Sequence, residues 1–183
     1  MKRIAMFAVA AVFLCLAGCS VKTDIVRPDG AGMLPANAKF TVAPAVDASG
    51  YVFEDKGDAF SLSEAMTASL KQSLGDRAQT GAAYVITTRI KEYAPGNAFA
   101  RWVMPGAGTT KLSTESIITT ADNIEVARIP VERSVGFGGA YTVGAWKHVF
   151  DEVAQLTVGV IQNKLLAPAG APLASAAVVP AKN

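Results

Sequence analysis

Apolar and polar residues alternate over four stretches in the middle of the chain, and alternation with a period of two predicts β-strands. The predicted strands are residues 39–46, 82–93, 110–120 and 124–135. In the second of them, Tyr84, Ile86 and Ile90 share one face. The opposite face carries polar side chains: Thr87, Arg89 and Lys91. We therefore expect one buried sheet face and one face that is solvated or covered by a partner.

The third and fourth predicted strands are joined by Asp122 and Asn123, which are typical turn residues. Pro130 interrupts the fourth strand. Because proline donates no backbone hydrogen bond, we expect Pro130 at a sheet edge or at a bulge.

Two other stretches have helical periodicity. Residues 61–75 carry Ser61 and Glu64 at capping-box spacing and end at Gly75, which can cap the helix in the left-handed conformation. The apolar stripe of this helix is Leu62, Met66, Leu70 and Leu74. Residues 144–166 predict a long amphipathic helix. Its predicted buried face is Trp146, Val149, Phe150, Val153, Leu156 and Val160.

The predicted order of elements is β-α-β-β-β-α. Two helices and an antiparallel-rich sheet make a two-layer α+β sandwich, with both helices on one face of the sheet. We assign this domain to residues 39–166.

A different pattern opens the chain. Lys2 and Arg3 precede an unbroken apolar run from Ile4 to Gly18. A basic start, an apolar centre and small residues at the end predict a secretory signal peptide over residues 1–18. The run is shorter than the about 20 apolar residues that a transmembrane helix needs.

The quartet Leu16-Ala17-Gly18-Cys19 resembles the lipobox of bacterial lipoproteins. This resemblance implies cleavage between Gly18 and Cys19, then acylation of the Cys19 sulfur and of the new amino terminus. A protein with several acyl chains stays on a membrane. In Gram-negative lipoproteins an aspartate after the cysteine tends to retain the protein in the inner membrane. Ser20 at that position therefore predicts the periplasmic face of the outer membrane.

Cleavage changes both the thiol content and the charge. Cys15 leaves with the signal peptide and Cys19 carries lipid, so the mature chain has no thiol for a disulfide. Loss of Lys2 and Arg3 lowers the number of Lys and Arg residues from 17 to 15, which equals the 15 Asp and Glu residues. A neutral chain without a basic tract is a poor nucleic-acid binder, and we predict no nucleic-acid partner.

The segments that flank the predicted domain lack periodicity. Residues 19–38 contain helix and strand breakers: Pro28, Asp29, Gly30 and Gly32. We predict that they form the lipidated cysteine and a flexible tether. Residues 167–183 are rich in alanine and proline, which predicts a disordered tail.

The segment from Ala94 to Gly108 is longer than a connection between two strands requires, since two residues can close a hairpin. Long loops in compact domains usually carry a role. The candidate partner surface in this loop is Phe99, Arg101, Trp102 and Met104. An exposed tryptophan–arginine pair is typical of interface hot spots. The alternatives are a local cluster that covers one sheet end and a loop that touches the membrane.

No catalytic or metal site is evident from the sequence. His148 is the single histidine and lies three positions before Asp151, with no nucleophile in register. One histidine without a mature thiol disfavours a zinc site, and we predict no metal and no cofactor. The charged residues 54–58 lack the spacing of a calcium loop, and residues 106–111 lack that of a phosphate-binding loop.

One motif of the long loop resembles a motif found in a known protein family. Its residues are a proline–glycine turn, an arginine and a Gly-x-Gly step: Pro95, Gly96, Arg101, Gly106 and Gly108. Together with the Thr- and Ser-rich strand that follows, they resemble the bacterial lipoproteins grouped as domain of unknown function 4410. The resemblance runs from about Val42 to Leu165. It implies an envelope lipoprotein, and it carries over no activity or site residue.

These observations predict a non-enzymatic lipoprotein whose periplasmic domain binds or scaffolds other envelope proteins, either a different protein or further copies of itself. One alternative is an envelope hydrolase or transferase with an unrecognised site. The other is a domain that binds lipid or a small ligand, which requires an apolar cavity between sheet and helices.

Overall fold

The structure is a computed structural model that describes residues 19–52, 61–75, 80–97, 108–135 and 145–168. The strands are β1 (Cys19–Thr23), β2 (Lys39–Val42), β3 (Val46–Asp47), β4 (Ala83–Ala94), β5 (Thr110–Thr120) and β6 (Glu125–Val135). The helices are α1 (Leu62–Leu74) and α2 (Ala145–Val160), and a π-helical segment (Ile161–Leu165) continues α2. The predicted signal peptide, most of the predicted tail and the side chains of Cys19 and Trp146 lie outside the described part.

The strands form one six-stranded sheet in the order β1-β6-β5-β4-β2, and β3 also pairs with β4. β2 and β3 run parallel to β4, and the other pairs are antiparallel. Both helices pack on one face: α1 contacts α2 and β4, and α2 contacts β5 and β6. The predicted α+β sandwich is therefore confirmed. The stretch at residues 39–46 contains two short strands instead of one.

The sheet face under the helices is the core. Along β5, every second residue from Thr110 to Ile118 is buried, as expected for a strand with one face against helices. Aromatic rings fill the space between layers, and the Tyr93 and Phe150 ring centroids are 5.6 Å apart. Two buried hydroxyls in this core bond to each other, since Thr88 Oγ1 and Ser116 Oγ are 2.7 Å apart. Burial of this apolar surface is the main driving force for the fold.

Helix α1 begins and ends close to its predicted limits. The Ser61 hydroxyl accepts a hydrogen bond of 3.2 Å from the Glu64 backbone N–H, which confirms the N-cap. The predicted stripe is buried. Gly75 has a φ of 67° but a ψ of 177°, so it turns the chain in an extended form that differs from the expected left-handed cap.

Helix α2 presents most of its predicted face to the sheet. Val149, Phe150, Val153 and Val160 are buried. Leu156, also predicted to be buried, is partly buried: it packs against the core and also lines an open groove beside β1.

Residues 19–38 do not form the predicted flexible tether. Residues 19–23 pair with β6 from Cys19↔Val135 to Thr23↔Val131. Farther along, Val26 and Arg128 exchange both backbone hydrogen bonds, and Leu34 is buried against Leu166. The turn residues in this segment mark bends in an ordered chain, and hydrogen bonds to β6 offset the entropy of ordering it.

The placement of Pro130 also differs from the prediction, because β6 is not an edge strand and the register is regular around Pro130. The N–H of Arg128 points toward Val26 on the β1 side. Since backbone groups alternate along a strand, the Pro130 nitrogen faces the same side. Regular pairing with β1 ends at Thr23↔Val131, beside Pro130, whose missing N–H interrupts the hydrogen bonds.

Candidate functional site

The best-formed depression among the described residues lies where β1 and β6 meet α2. It encloses about 470 Å³ and is mostly apolar. We call it the edge groove, and its main lining residues are Val21, Arg133, Glu152, Leu156, Gly159 and Lys164. It opens to solvent at the side of the sandwich. It is therefore a surface groove at the rim of the sheet, not an enclosed chamber between sheet and helices.

One wall of the edge groove is an ion pair between sheet and helix. Arg133 lies opposite Val21 in the β1–β6 register and on the face toward α2. Its Nε donates to Glu152 Oε2 at 2.5 Å, and its side chain is 15% exposed. A charged residue on the helix-facing side of a strand is tolerated here because a carboxylate on α2 pairs with it.

The far end of the edge groove is fixed by a second arginine. The Arg27 guanidinium donates to the backbone carbonyl of Lys164, in the last helical turn. The carbonyls at a helix C-terminus lack intrahelical partners and carry partial negative charge, so a cation is favourable there. This contact holds the chain that follows β1 against the π-helical segment.

The floor of the edge groove is formed by α2. Leu156 and Gly159 face the opening, and the side chain of Val21, 45% exposed, borders it from the sheet. A Cβ atom placed on Gly159 would meet no heavy atom within 4 Å. Packing against the described part of the chain therefore does not require the absence of a side chain at Gly159.

The outer face of the sheet carries cross-strand ion pairs. Glu115 lies between Lys91 Nζ at 2.6 Å and Arg128 Nη1 at 3.2 Å. The hydrogen bond from Lys91, with the nearby arginine charges, lowers the pKa of the Glu115 carboxyl. Lys111 lies 2.9 Å from Glu92 and 3.6 Å from Glu132, and the bond to Glu92 raises its pKa. These charges neutralise one another, so the face is not a charged docking patch.

A second, smaller depression of about 420 Å³ lies on this outer face. Its lining includes Ser113, Pro130 and charged residues of β1, β4 and β6. Its lining is more polar than that of the edge groove. Depressions that bind partners usually combine an apolar surface with a few polar groups, which favours the edge groove.

The long loop between β4 and β5 leaves the sheet through a narrow neck. The Asn97 N–H donates to the Gly108 carbonyl at 3.0 Å, and the Thr110 hydroxyl donates to the Pro95 carbonyl at 2.7 Å. Gly96 has a φ of 74°, and a Cβ there would lie 2.4 Å from the Gly108 oxygen. Glycine is required at this position. The candidate partner residues Phe99, Arg101, Trp102 and Met104 lie outside the described residues.

In the described residues a hydroxyl contacts Asp151 of the His148–Asp151 pair, and no hydrogen bond joins that hydroxyl to His148. His148 is exposed, and Asp151 accepts a 2.6 Å hydrogen bond from the Ser69 hydroxyl of α1. Asp151 thus joins the two helices. Within the described ranges, no group of three His, Cys, Asp or Glu side chains could hold a metal ion. No helix in that part of the chain is long and apolar enough to cross a bilayer.

Comparison with known families bears on the region between β3 and β6. Residues 52–139 match the model of the domain of unknown function DUF4410. The resemblance drawn from the loop motif is confirmed, over a shorter range than predicted. The match includes α1, β4, β5 and β6, and it leaves out β1 and α2, which form most of the edge groove. No curated protein matches the chain.

Solved structures share the fold at low sequence identity. Two PelC dodecamers from Paraburkholderia phytofirmans, one of them a single-site variant, have TM-scores of 0.51 and 0.50 and identities of 10% and 11%. Each covers 79% of this chain, and the matches span 99% and 97% of the PelC chains. A DUF330 protein from Xanthomonas campestris has a TM-score of 0.47 at 14% identity, over 70% of this chain and 86% of its own.

The edge groove was not among the sequence-predicted sites. Two signals for it are present in the sequence. Arg133 occupies a position that strand alternation assigns to the buried face, and Gly159 lies within a helical stretch where it weakens the helix. Neither signal identifies a site unless the position of β1 is known. The turn residues that follow β1 led to the prediction of a flexible tether instead of a strand.

Proposed function

We propose that the protein is a non-enzymatic lipoprotein, anchored to the periplasmic face of the outer membrane through Cys19, that binds other envelope proteins at the edge groove. The observation that carries this proposal is Gly159 in the floor of an apolar groove beside the free edge of β1.

The anchoring part of the proposal rests on the sequence. The Leu16-Ala17-Gly18-Cys19 quartet, the basic and apolar residues before it and the DUF4410 match support an exported, acylated chain. Ser20 supports the outer membrane over the inner one. Acylation through more than one chain gives durable attachment.

Binding is favoured over catalysis by the chemistry of the groove. Two of the charged lining residues, Arg133 and Glu152, pair with each other, and Arg27 near the groove bonds to the Lys164 carbonyl. A catalytic site needs a nucleophile or a base within reach of a reacting atom. The groove instead offers an apolar floor with polar rims, which is the composition of a protein-binding surface.

Glycine within a helix costs about 0.5–1 kcal/mol relative to alanine. At Gly159 no contact with the described residues offsets this cost, because a Cβ would have none of their atoms within 4 Å. A missing side chain at this point lets another backbone approach α2 closely. We infer that the partner inserts a segment of chain over Gly159.

The first partner that we propose is a second copy of this chain. Among the described residues β1 is an edge strand with no strand neighbour on one side, and such an edge can accept an added strand from another chain. The opposite edge, formed by β2 and β3, supplies a strand at the other side of the sheet. Contacts between unlike edges build rings when the rotation closes. The PelC neighbours, which share the fold, are dodecamers.

The test measures the molar mass of the mature domain with Cys19→Ser, by light scattering coupled to gel filtration over a range of concentrations. Gly159→Arg places a long charged side chain in the groove without an internal clash, and Gly159→Ala is the matched control. We expect the parent and the alanine variant to self-associate and the arginine variant to remain monomeric, with the same circular dichroism.

A parent chain that stays monomeric at every concentration refutes a second copy as the partner. Crosslinking in native membranes then tests a different envelope protein, with a photoreactive residue at Gln155 beside the groove and a control at Thr119 on the outer face. Adducts at Gln155 that disappear with Gly159→Arg support the groove. Equal yields of adducts from Gln155 and Thr119 would show that the edge groove is not the binding site.

A further inference from the structure

We infer that β1 fixes the orientation of the domain on the membrane, so that the sheet end that carries Cys19, Thr110 and Val135 faces the lipid surface. We call this the anchored end. This inference rests on the proposed acylation of Cys19. A flexible tether would let the domain rotate freely, whereas here β1 begins at the lipidated residue itself.

The hydrogen-bond pattern of β1 shows where the constraint begins. Val26 and Arg128 exchange both backbone bonds at 2.8 Å, and the pairs from Thr23↔Val131 to Cys19↔Val135 keep the same register. Because bonded pairs alternate in antiparallel strands, the backbone groups of Ser20 and Lys22 face β6. The first anchoring pair is thus one residue after the acylated position. No unpaired linker residues therefore lie between the acylated cysteine and the sheet.

The two ends of the sheet are well separated. Cys19 pairs with Val135, and Val135 pairs with Thr110, so these residues lie side by side at one end. The turn that contains Asp122 lies at the opposite end of β5 and β6. β6 has 11 residues, and at roughly 3.3 Å per residue the ends are about 33 Å apart. A rigid attachment at Cys19 therefore leaves the Asp122 turn far from the headgroups.

Charge does not supply this orientation. Among the described basic residues near the anchored end, Arg133 pairs with Glu152, and Lys111 lies near Glu92 and Glu132. Lys22 is exposed, and the attraction of a single lysine to anionic lipids is too weak to fix one orientation. The orientation instead follows from one covalent attachment and the β1–β6 hydrogen bonds, so we expect it to be insensitive to salt.

This orientation has a consequence for the edge groove. The groove borders β1 along the side of the sheet, and β1 rises from the membrane at Cys19. Its opening therefore faces sideways, parallel to the bilayer. A partner held at the same membrane surface, such as a neighbouring copy, meets this opening without either protein leaving the membrane.

The experiment uses the processed, acylated protein in liposomes of phosphatidylethanolamine and phosphatidylglycerol that contain a headgroup-nitroxide lipid. Acylation leaves the mature chain without a free thiol, so Thr109→Cys and Asp122→Cys each place a single fluorophore at one end of the sheet. We expect quenching several-fold stronger at position 109 than at position 122. The difference should persist when NaCl rises from about 0.1 M to about 0.5 M.

Two matched pairs of variants test whether the β1 attachment causes the difference in quenching between positions 109 and 122. A ten-residue Gly/Ser insertion between Cys19 and Ser20 should abolish the difference, whereas the same insertion in the Asp122 turn should not. Lys22→Pro removes an N–H that faces β6, and Val21→Pro removes one that faces away from it. We expect Lys22→Pro to lose the difference in quenching between positions 109 and 122, and Val21→Pro to keep it.

Flotation with the liposomes and mass spectrometry of the amino-terminal peptide report on acylation separately. Equal quenching at positions 109 and 122 in an acylated, floating protein overturns the fixed orientation and leaves the lipoprotein proposal intact. Absence of acyl groups on Cys19 overturns the lipoprotein proposal itself. A difference that survives the Cys19–Ser20 insertion shows that some other contact orients the domain, and it also overturns the inference.

Discussion

The two edges of the sheet are built differently. At the β2 edge, Phe40 and Val42 are buried, and the Phe40 ring lies 5.8 Å from that of Tyr84. The Thr67 hydroxyl of α1 also accepts the Ala45 N–H at 2.9 Å. At the β1 edge, Val21 is 45% exposed and borders an open groove. The β2 edge is therefore part of the core, whereas the β1 edge presents a surface.

This contrast indicates where evolution can place function at little cost in stability. Side chains that complete the core cannot change without loss of packing. Side chains around the edge groove contribute little to the core, so their identity is free to serve a partner. The proposed binding site and the inferred membrane orientation both involve β1 for this reason.

The largest expected effect is a difference in stability between the two edges. Phe40→Ala removes a ring that is 7% exposed, and we expect a loss of about 3–5 kcal/mol in the free energy of unfolding. Val21→Ala removes half-exposed methyl groups, and we expect a loss below about 1 kcal/mol. Urea denaturation of both variants checks this. Similar losses for the two would show that β1 belongs to the core as much as β2 does.

Each edge also has a glycine near it, and the two differ in whether a side chain would fit at that position. Gly81, beside the β2 edge, bonds through its N–H to the Asn37 carbonyl, and a Cβ there would lie 2.5 Å from that oxygen. We expect Gly81→Ala to cost about 1–3 kcal/mol. Gly159→Ala should instead stabilise the domain by about 0.5–1 kcal/mol.

Thermal unfolding of Gly81→Ala and Gly159→Ala gives the sign of each change in stability directly. If Gly159→Ala also destabilised the domain, the floor of the edge groove would be packed more tightly than the structure shows. The argument that its missing side chain serves a partner would then fail.

The contrast between edges also shows how far the sequence could predict the structure. Met66, Leu70 and Phe150 were placed correctly because periodicity reports directly on burial. β1 was missed because its partner, β6, lies more than a hundred residues away and because β1 is short and is followed by turn residues such as Pro28 and Gly30. Arg133 and Gly159 could not be joined into a site, since a groove depends on the crossing of strand and helix, which local patterns do not encode.

A smaller effect is expected from the ion pair in the groove wall. Arg133→Met keeps the aliphatic part of the side chain and removes the bond to Glu152. We expect a loss of about 1 kcal/mol, because Glu152 is partly exposed and water replaces its partner. Lys22→Met, at an exposed neighbouring position on β1, is the control and should change stability little. Chemical denaturation at low and high salt checks both, and an unchanged Arg133→Met midpoint would show that the wall is held by packing alone.

The smallest effect concerns the middle of the sheet, between the two edges, and it depends on pH. The hydrogen bond from Lys91 lowers the pKa of Glu115 below its ordinary value of 4.5. The folded state therefore favours the ionised carboxylate, and this contribution to stability is complete above that ordinary value. It is lost as the pH falls through the lower pKa of the folded state. Denaturation midpoints measured from pH 7 to acid should fall less steeply in Glu115→Gln than in the parent chain. Because the ion pair is near the surface, the difference should be at most about 1 kcal/mol, and parallel curves for the two proteins would show that the Lys91–Glu115 contact does not persist in solution.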